Sequence, residues 1–98
     1  MSFPKPKKRI KKSLHIDKII RASVIDRDKC CVLCGGKQEQ IHHVMLKSHS
    51  GNNTAKNLVC VCNRCHRKIH ANEKKYFITL FNILQHYYHD LTKEDMKK

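Results

Sequence analysis

Cys31-Val32-Leu33-Cys34, Ile41-His42-His43-Val44, Asn57-Leu58-Val59 and Cys62-Asn63-Arg64-Cys65-His66-Arg67-Lys68-Ile69-His70 decide how this chain folds. Cys34 and Cys62 stand 28 positions apart, so the two CxxC pairs meet only if the chain between them folds back. A β-hairpin does this. Four thiolates, from Cys31, Cys34, Cys62 and Cys65, suit a closed tetrahedral zinc site whose assembly drives folding. Of the remaining cysteines, Cys30 breaks the matched spacing. Cys60 lies between Val59 and Val61 and reads as a small hydrophobe.

The histidines obey a different geometry. His66 and His70 are four apart on an expected helix, so both imidazoles point to one side and form a chelating pair. His42 and His43 are neighbours on an expected strand and point to opposite faces. One can join a metal while the other faces a substrate, provided the strand twists or ends there. An open imidazole site of this kind does chemistry. A nearby Asn can fix the strand or loop carrying a base by hydrogen bonds to backbone.

Composition limits what such a site serves. Ninety-eight residues hold one domain with a modest core that needs a staple. With 21 Lys+Arg against 8 Asp+Glu the net charge is +13, which favours a polyanion, nucleic acid first. The N-terminus lacks an apolar signal core and no run is apolar enough to span a bilayer. The expected setting is cytoplasmic, and CxxC pairs there read as metal ligands before disulfides.

Three regions follow from the pattern. Residues 1–13 are expected to be a disordered basic arm in which Lys5, Lys7, Lys8, Arg9, Lys11 and Lys12 track phosphates. Residues 14–90 form the domain. It opens with a helix over 14–28, capped by Ser13, that buries Ile16, Ile19, Ile20 and Val24 and leaves Lys18, Arg21 and Arg27 on the surface. Strands over 40–46 and 57–61 flank a loop, and a helix runs from Asn63 through His70. A last helix over 73–89 presents Phe77, Leu80, Phe81, Leu84 and Tyr88 along one face, widened by Tyr76, Ile83 and Tyr87, as core or a dimer surface. Residues 91–98 are expected to fray as a charged tail. His15, His49, His86 and His89 read as surface groups.

Arg27-Asp28-Lys29-Cys30-Cys31-Val32-Leu33-Cys34-Gly35, Ile41-His42-His43-Val44, Asn57-Leu58-Val59 and the Cys62–His70 run together resemble the zinc-knuckle branch of the HNH endonuclease family. The resemblance covers about residues 24–72. It implies a small α+β, ββα-metal (His-Me finger) nuclease domain with a four-cysteine structural zinc site and flanking helices. It also implies His43 as general base, Asn57 as the residue that orients it, and His42 and His66 as metal ligands. His70 is a third ligand by likeness to colicin-type members, whereas in other members its equivalent contacts phosphate. The steps of 14 residues from His43 to Asn57 and 9 from Asn57 to His66 agree with the colicin-type spacing. The implied activity is hydrolysis of DNA, double-stranded by expectation, with one divalent ion. His42 stands where many relatives have Asp, so the all-imidazole set favours Zn²⁺, Ni²⁺, Co²⁺ or Mn²⁺ over Mg²⁺. Lys47, Lys56, Arg64, Arg67 and Lys68 are candidate phosphate contacts beside the site. Specificity would come from a homodimer or a partner protein, with no membrane involved. The rival reading is a non-catalytic zinc-ribbon DNA-binding module, which needs the cysteines and the charge but not the ordered His42, His43, Asn57 and His66.

Overall fold

The computed structural model describes residues 16–98. Ser13, His15 and the basic arm with Lys7, Lys8, Arg9, Lys11 and Lys12 lie outside the described residues. Helix α1 spans Lys18–Asp28. Its N-cap is Asp17, whose carboxylate accepts from the Ile19 N–H at 2.8 Å. It stops where Lys29 takes a left-handed conformation at φ 63° and donates its N–H to Ile25.

Strands β1 (Gln40–His43) and β2 (Leu58–Val61) pair antiparallel, with Ile41 opposite Cys60, His42 opposite Val59 and His43 opposite Leu58. All four residues of β2 are buried, because both faces of the hairpin are covered. The twofold alternation of a strand sorts them. Leu58 and Cys60 face α1 and pack with Val24, Ile16, Ile20, Ile25 and Ile41. Val59 and Val61 face the other way, into a cluster with Ile69, Leu80, Leu84, Leu91 and Met96. This second cluster rests on helices α2 (Asn63–Ala71) and α3 (Glu73–Tyr87), which meet at Asn72. Hairpin followed by helix is the expected ββα arrangement, with α1 and α3 flanking it.

Several details differ from the sequence expectation. The first strand ends at His43 instead of Leu46, and the loop after it holds short 3-10 turns at Lys47–His49 and Ala55–Asn57. Ile19 is 79% exposed, because the inward stripe of α1 follows Ile20 and Val24, with Ile16 packing beside them from ahead of the helix. Tyr87 is also largely exposed, while Phe77, Phe81, Tyr76, Ile83 and Tyr88 do pack on the core.

Arg27 is not a surface cation. Its side chain is 12% exposed and grips Asp28, with Nε to Oδ1 at 2.7 Å and an Nη to Oδ2 at 3.0 Å. Its remaining donors reach the carbonyls of Ala55 and Leu58 and the Tyr88 hydroxyl. Asp28 in turn accepts the Cys60 N–H at 2.8 Å. The pair is buried without orphaned donors or acceptors, the condition under which a buried ion pair is tolerated.

Residues 91–98 do not fray. Thr92 and Asp95 form a capping box around a 3-10 turn at Lys93–Met96. Leu91 and Met96 are buried, and Gly51 bridges to Lys97. The apolar pair pulls a charged segment back onto the domain.

Candidate metal centres and catalytic cleft

The first knuckle turns tightly, with Gly35 at φ 76° and its N–H bonded to the Cys31 carbonyl. The second CxxC pair opens α2, where Cys62 Sγ accepts the Cys65 N–H at 3.3 Å and so caps the helix. A thiolate at this position is favoured by the positive end of the helix. The hairpin register then brings Cys31, Cys34, Cys62 and Cys65 together, with every Sγ within 4.8 Å of the others. Tetrahedral zinc with Zn–S near 2.3 Å needs sulfurs about 3.8 Å apart. Cys34 and Cys62 lie 3.7 Å apart, so the set fits zinc. It does not fit a disulfide, whose sulfurs touch at about 2.0 Å. The electrostatics agree. Burial, reinforced by the neighbouring thiols, pushes Cys65 up to about 12. At Cys31 burial opposes ionisation, but N–H donors of Cys34, Cys62 and Leu33 outweigh it and hold the thiol at about 7. Four crowded thiols ionise together only around a cation. Cys60 is buried and its thiol is pushed up to about 11 by burial and Asp28, as suits a small apolar side chain.

The imidazoles collect on the opposite face of β1 from Ile41. Register places His42 beside Val59, on the side that faces α2. His66 and His70, one turn apart on α2, meet it there. Ring centroids lie 5.3 Å apart for His42–His66, 5.4 Å for His42–His70 and 4.6 Å for His66–His70. A coordinating nitrogen from each falls within 4.8 Å of the others. Nε2 of His66 and Nε2 of His70 are 3.1 Å apart. Two nitrogens bound tetrahedrally at about 2.0–2.1 Å sit about 3.3 Å apart, so this set also fits a divalent cation. Burial first, then the neighbouring imidazoles, hold His42 down at about 3. Burial and His70 likewise lower His66. Neutral rings are the form that ligates metal.

His43 stands beside this trio and not within it. Because β1 ends there, its ring lines the same cleft of about 480 Å³ as His42, His66, His70, Lys47 and Glu73. Burial lowers its pKa, the bond to Asn53 offsets this in part, and Lys47 adds to the lowering. Asn57 is fully buried and spends its side chain on the loop that follows His43. Its Oδ1 accepts the Met45 N–H at 2.6 Å, and its Nδ2 donates to the carbonyls of Met45 at 3.0 Å and Asn52 at 2.9 Å.

Two residues of the site had not been singled out in the sequence. Asn53 Oδ1 lies 2.6 Å from His43 Nε2. Glu73 Oε2 lies 3.1 Å from His70 Nδ1, which leaves Nε2 of His70 facing the trio. The His70–Glu73 step of three was the one available signal for the latter, as an i,i+3 pair across a helix junction. Lys47 lines the cleft, whereas Arg64, Arg67 and Lys68 are exposed on α2 outside its lining and Lys56 is exposed on the loop. His49, His86 and His89 are exposed. No helix among the described residues is long and apolar enough to cross a membrane.

The family model described as HNH endonuclease matches residues 31–72, from the first cysteine pair to the turn after His70. The resemblance read from the motifs is borne out over this segment by the match, which points to nuclease-type activity. No curated protein matches the chain.

Proposed function

We propose that the chain is a metal-dependent endonuclease that hydrolyses phosphodiester bonds in DNA. The observation that carries this reading is one cleft holding a three-imidazole ligand set with a fourth, unligated imidazole beside it. His42, His66 and His70 would hold a divalent ion, with Glu73 fixing the His70 ring as carboxylates do beside metal-ligating histidines. Such an ion supplies charge neutralisation for the scissile phosphate and its leaving oxygen. His43 accepts the proton of the attacking water, its lowered pKa keeping it neutral near pH 7. Lys47 offers its ammonium to a phosphate at the rim of the cleft. The four-cysteine centre is structural in this reading. The net charge of +13 supports a polyanionic substrate, and the basic arm adds phosphate contacts.

Plasmid DNA incubated with the pure protein and a series of divalent ions tests the proposal. Wild type should cut, and His43→Ala should lose about 10²–10⁴ in rate while binding DNA normally. DNA binding with no cleavage under any ion would favour the zinc-ribbon binding module. Equal cleavage by the two proteins would remove His43 from the mechanism.

A further inference from the structure

The loop between the strands carries a polar framework whose purpose the core does not explain. Asn52 has every polar group engaged. Its N–H donates to the Met96 carbonyl at 2.8 Å, and its Nδ2 donates to the carbonyls of Asp95 at 2.8 Å and Lys97 at 2.9 Å. Its Oδ1 accepts from Thr54 N and Thr54 Oγ1, and its carbonyl accepts from Asn57 Nδ2. The next residue, Asn53, therefore hangs from a pinned backbone. Across the gap, Val44 N–H donates to the Asn57 carbonyl at 2.9 Å and Met45 N–H to Asn57 Oδ1, which pins the chain just beyond His43. Asn57 thus holds both ends of a short span, and that span is closed by the 2.6 Å contact between Asn53 Oδ1 and His43 Nε2.

We propose that Asn53 is the positioning residue for His43, fixing its tautomer as well as its orientation. The proposal rests on the reading of His43 as the base. An amide oxygen only accepts, so the ring nitrogen facing it must carry the proton. Nδ1 is then the one ring nitrogen with a free lone pair, and it is the atom that takes the proton from water. Neutral imidazole in solution samples both tautomers, and a base presenting N–H to the water is inert. Asn53 removes that inactive population and holds the ring plane.

The full-length, zinc-loaded protein labelled with ¹⁵N tests this directly, because long-range ¹H–¹⁵N correlations report which nitrogen of His43 is protonated. Wild type should show the Nε2–H form. Asn53→Asp keeps an acceptor at the same reach and should keep both that tautomer and most of the rate at saturating DNA. Asn53→Ala should show mixed tautomers and a loss of about 10–100-fold in kcat with KM nearly unchanged, the scale of a misaligned catalytic group. Should the Ala protein fail to fold, Asn53→Ser, whose hydroxyl stops short of the ring, carries the same expectations. An unchanged Nε2–H tautomer in Asn53→Ala or Asn53→Ser, or a kcat within twofold of wild type, would overturn the proposal. Parallel assays of wild type and His43→Ala separate this outcome from failure of the catalytic reading, since the tautomer is measured without DNA.

Discussion

Replacing Asn57 by Ala removes three hydrogen bonds from a side chain with no solvent exposure. Each is worth about 0.5–1.5 kcal/mol net, so the bonds alone sum to roughly 1.5–4.5 kcal/mol. Stranding a buried partner would add about 1–3 kcal/mol for each group. Here Met45 and Asn52 are only half-buried, so water reaches their freed backbone groups once the loop relaxes. The expected loss is therefore about 2–4 kcal/mol, a large share of the roughly 5–15 kcal/mol available to a domain. Asn57→Asp should do no better, because it keeps one acceptor but turns a carboxylate oxygen toward two carbonyls. Urea unfolding followed by far-UV circular dichroism, at one fixed zinc concentration, measures the loss. Cleavage measured where the variant is still folded should fall as well, and the His43 tautomer should become mixed, since the loop joining Asn53 to His43 is no longer held. A loss below about 1 kcal/mol together with wild-type cleavage would refute the assignment of Asn57 as the clamp of this loop.

Cys65→Ser should release the structural zinc and unfold the domain together, read as metal content by mass spectrometry alongside circular dichroism. A folded, zinc-free, cooperative protein would show the cysteines to be dispensable. Met96→Ala should cost about 2–5 kcal/mol in the same unfolding assay, as for a fully buried core residue, where a fraying tail would cost nothing. On acidification the sign is set by depressed histidines. His43 lies below its ordinary value, chiefly through burial, so the fall in cleavage on acidification should be centred below the ordinary histidine value of about 6.5. His42, held at about 3 against about 6.5 in the unfolded chain, binds its proton more readily when unfolded. Without divalent ions at the imidazole site, stability should therefore decline as pH falls from 6.5 toward 3.

The parts of this molecule legible in its sequence are those fixed by short-range spacing. CxxC geometry, the four-residue step from His66 to His70 and strand alternation at His42-His43 are local, and they group candidate ligands before any tertiary contact is known. The residues misread are those whose environment comes from distant chain. Arg27 sits in a charged helix and reads as solvated, yet Ala55, Leu58 and Tyr88 arrive to accept its donors. The last eight residues carry only Leu91 and Met96 as apolar side chains, too few for a periodic signal, but both find the core and the backbone then pairs with the loop at Ser50–Asn52. Asn53 lies in Gly51-Asn52-Asn53-Thr54, where nothing in the pattern separates one Asn from the next. Only the fold shows that Asn52 faces the C-terminal turn and Asn53 faces His43.

These long-range contacts form a connected restraint on the candidate base. The guanidinium of Arg27 bonds the carbonyls of Ala55 and Leu58, which bracket Asn57 in sequence and hold its backbone from the α1 side. From there the Asn57 side chain points inward to Met45 and Asn52, Asn52 is gripped from beyond by the C-terminal turn, and Asn53 closes on His43. A domain this small cannot fix a loop by burying it, because burial of that backbone would orphan its polar groups. Hydrogen bonds do so at little cost in apolar area, and their length and direction tolerate less drift than an apolar contact. The zinc knuckle is suited to hold hairpin to helix and so to set the distance from His42 to His66 and His70. The loop after His43 is held instead by hydrogen bonds to Asn57. On the proposed reading, the four-cysteine set would secure His42, His66 and His70, and the buried Asn57 would align His43 beside them.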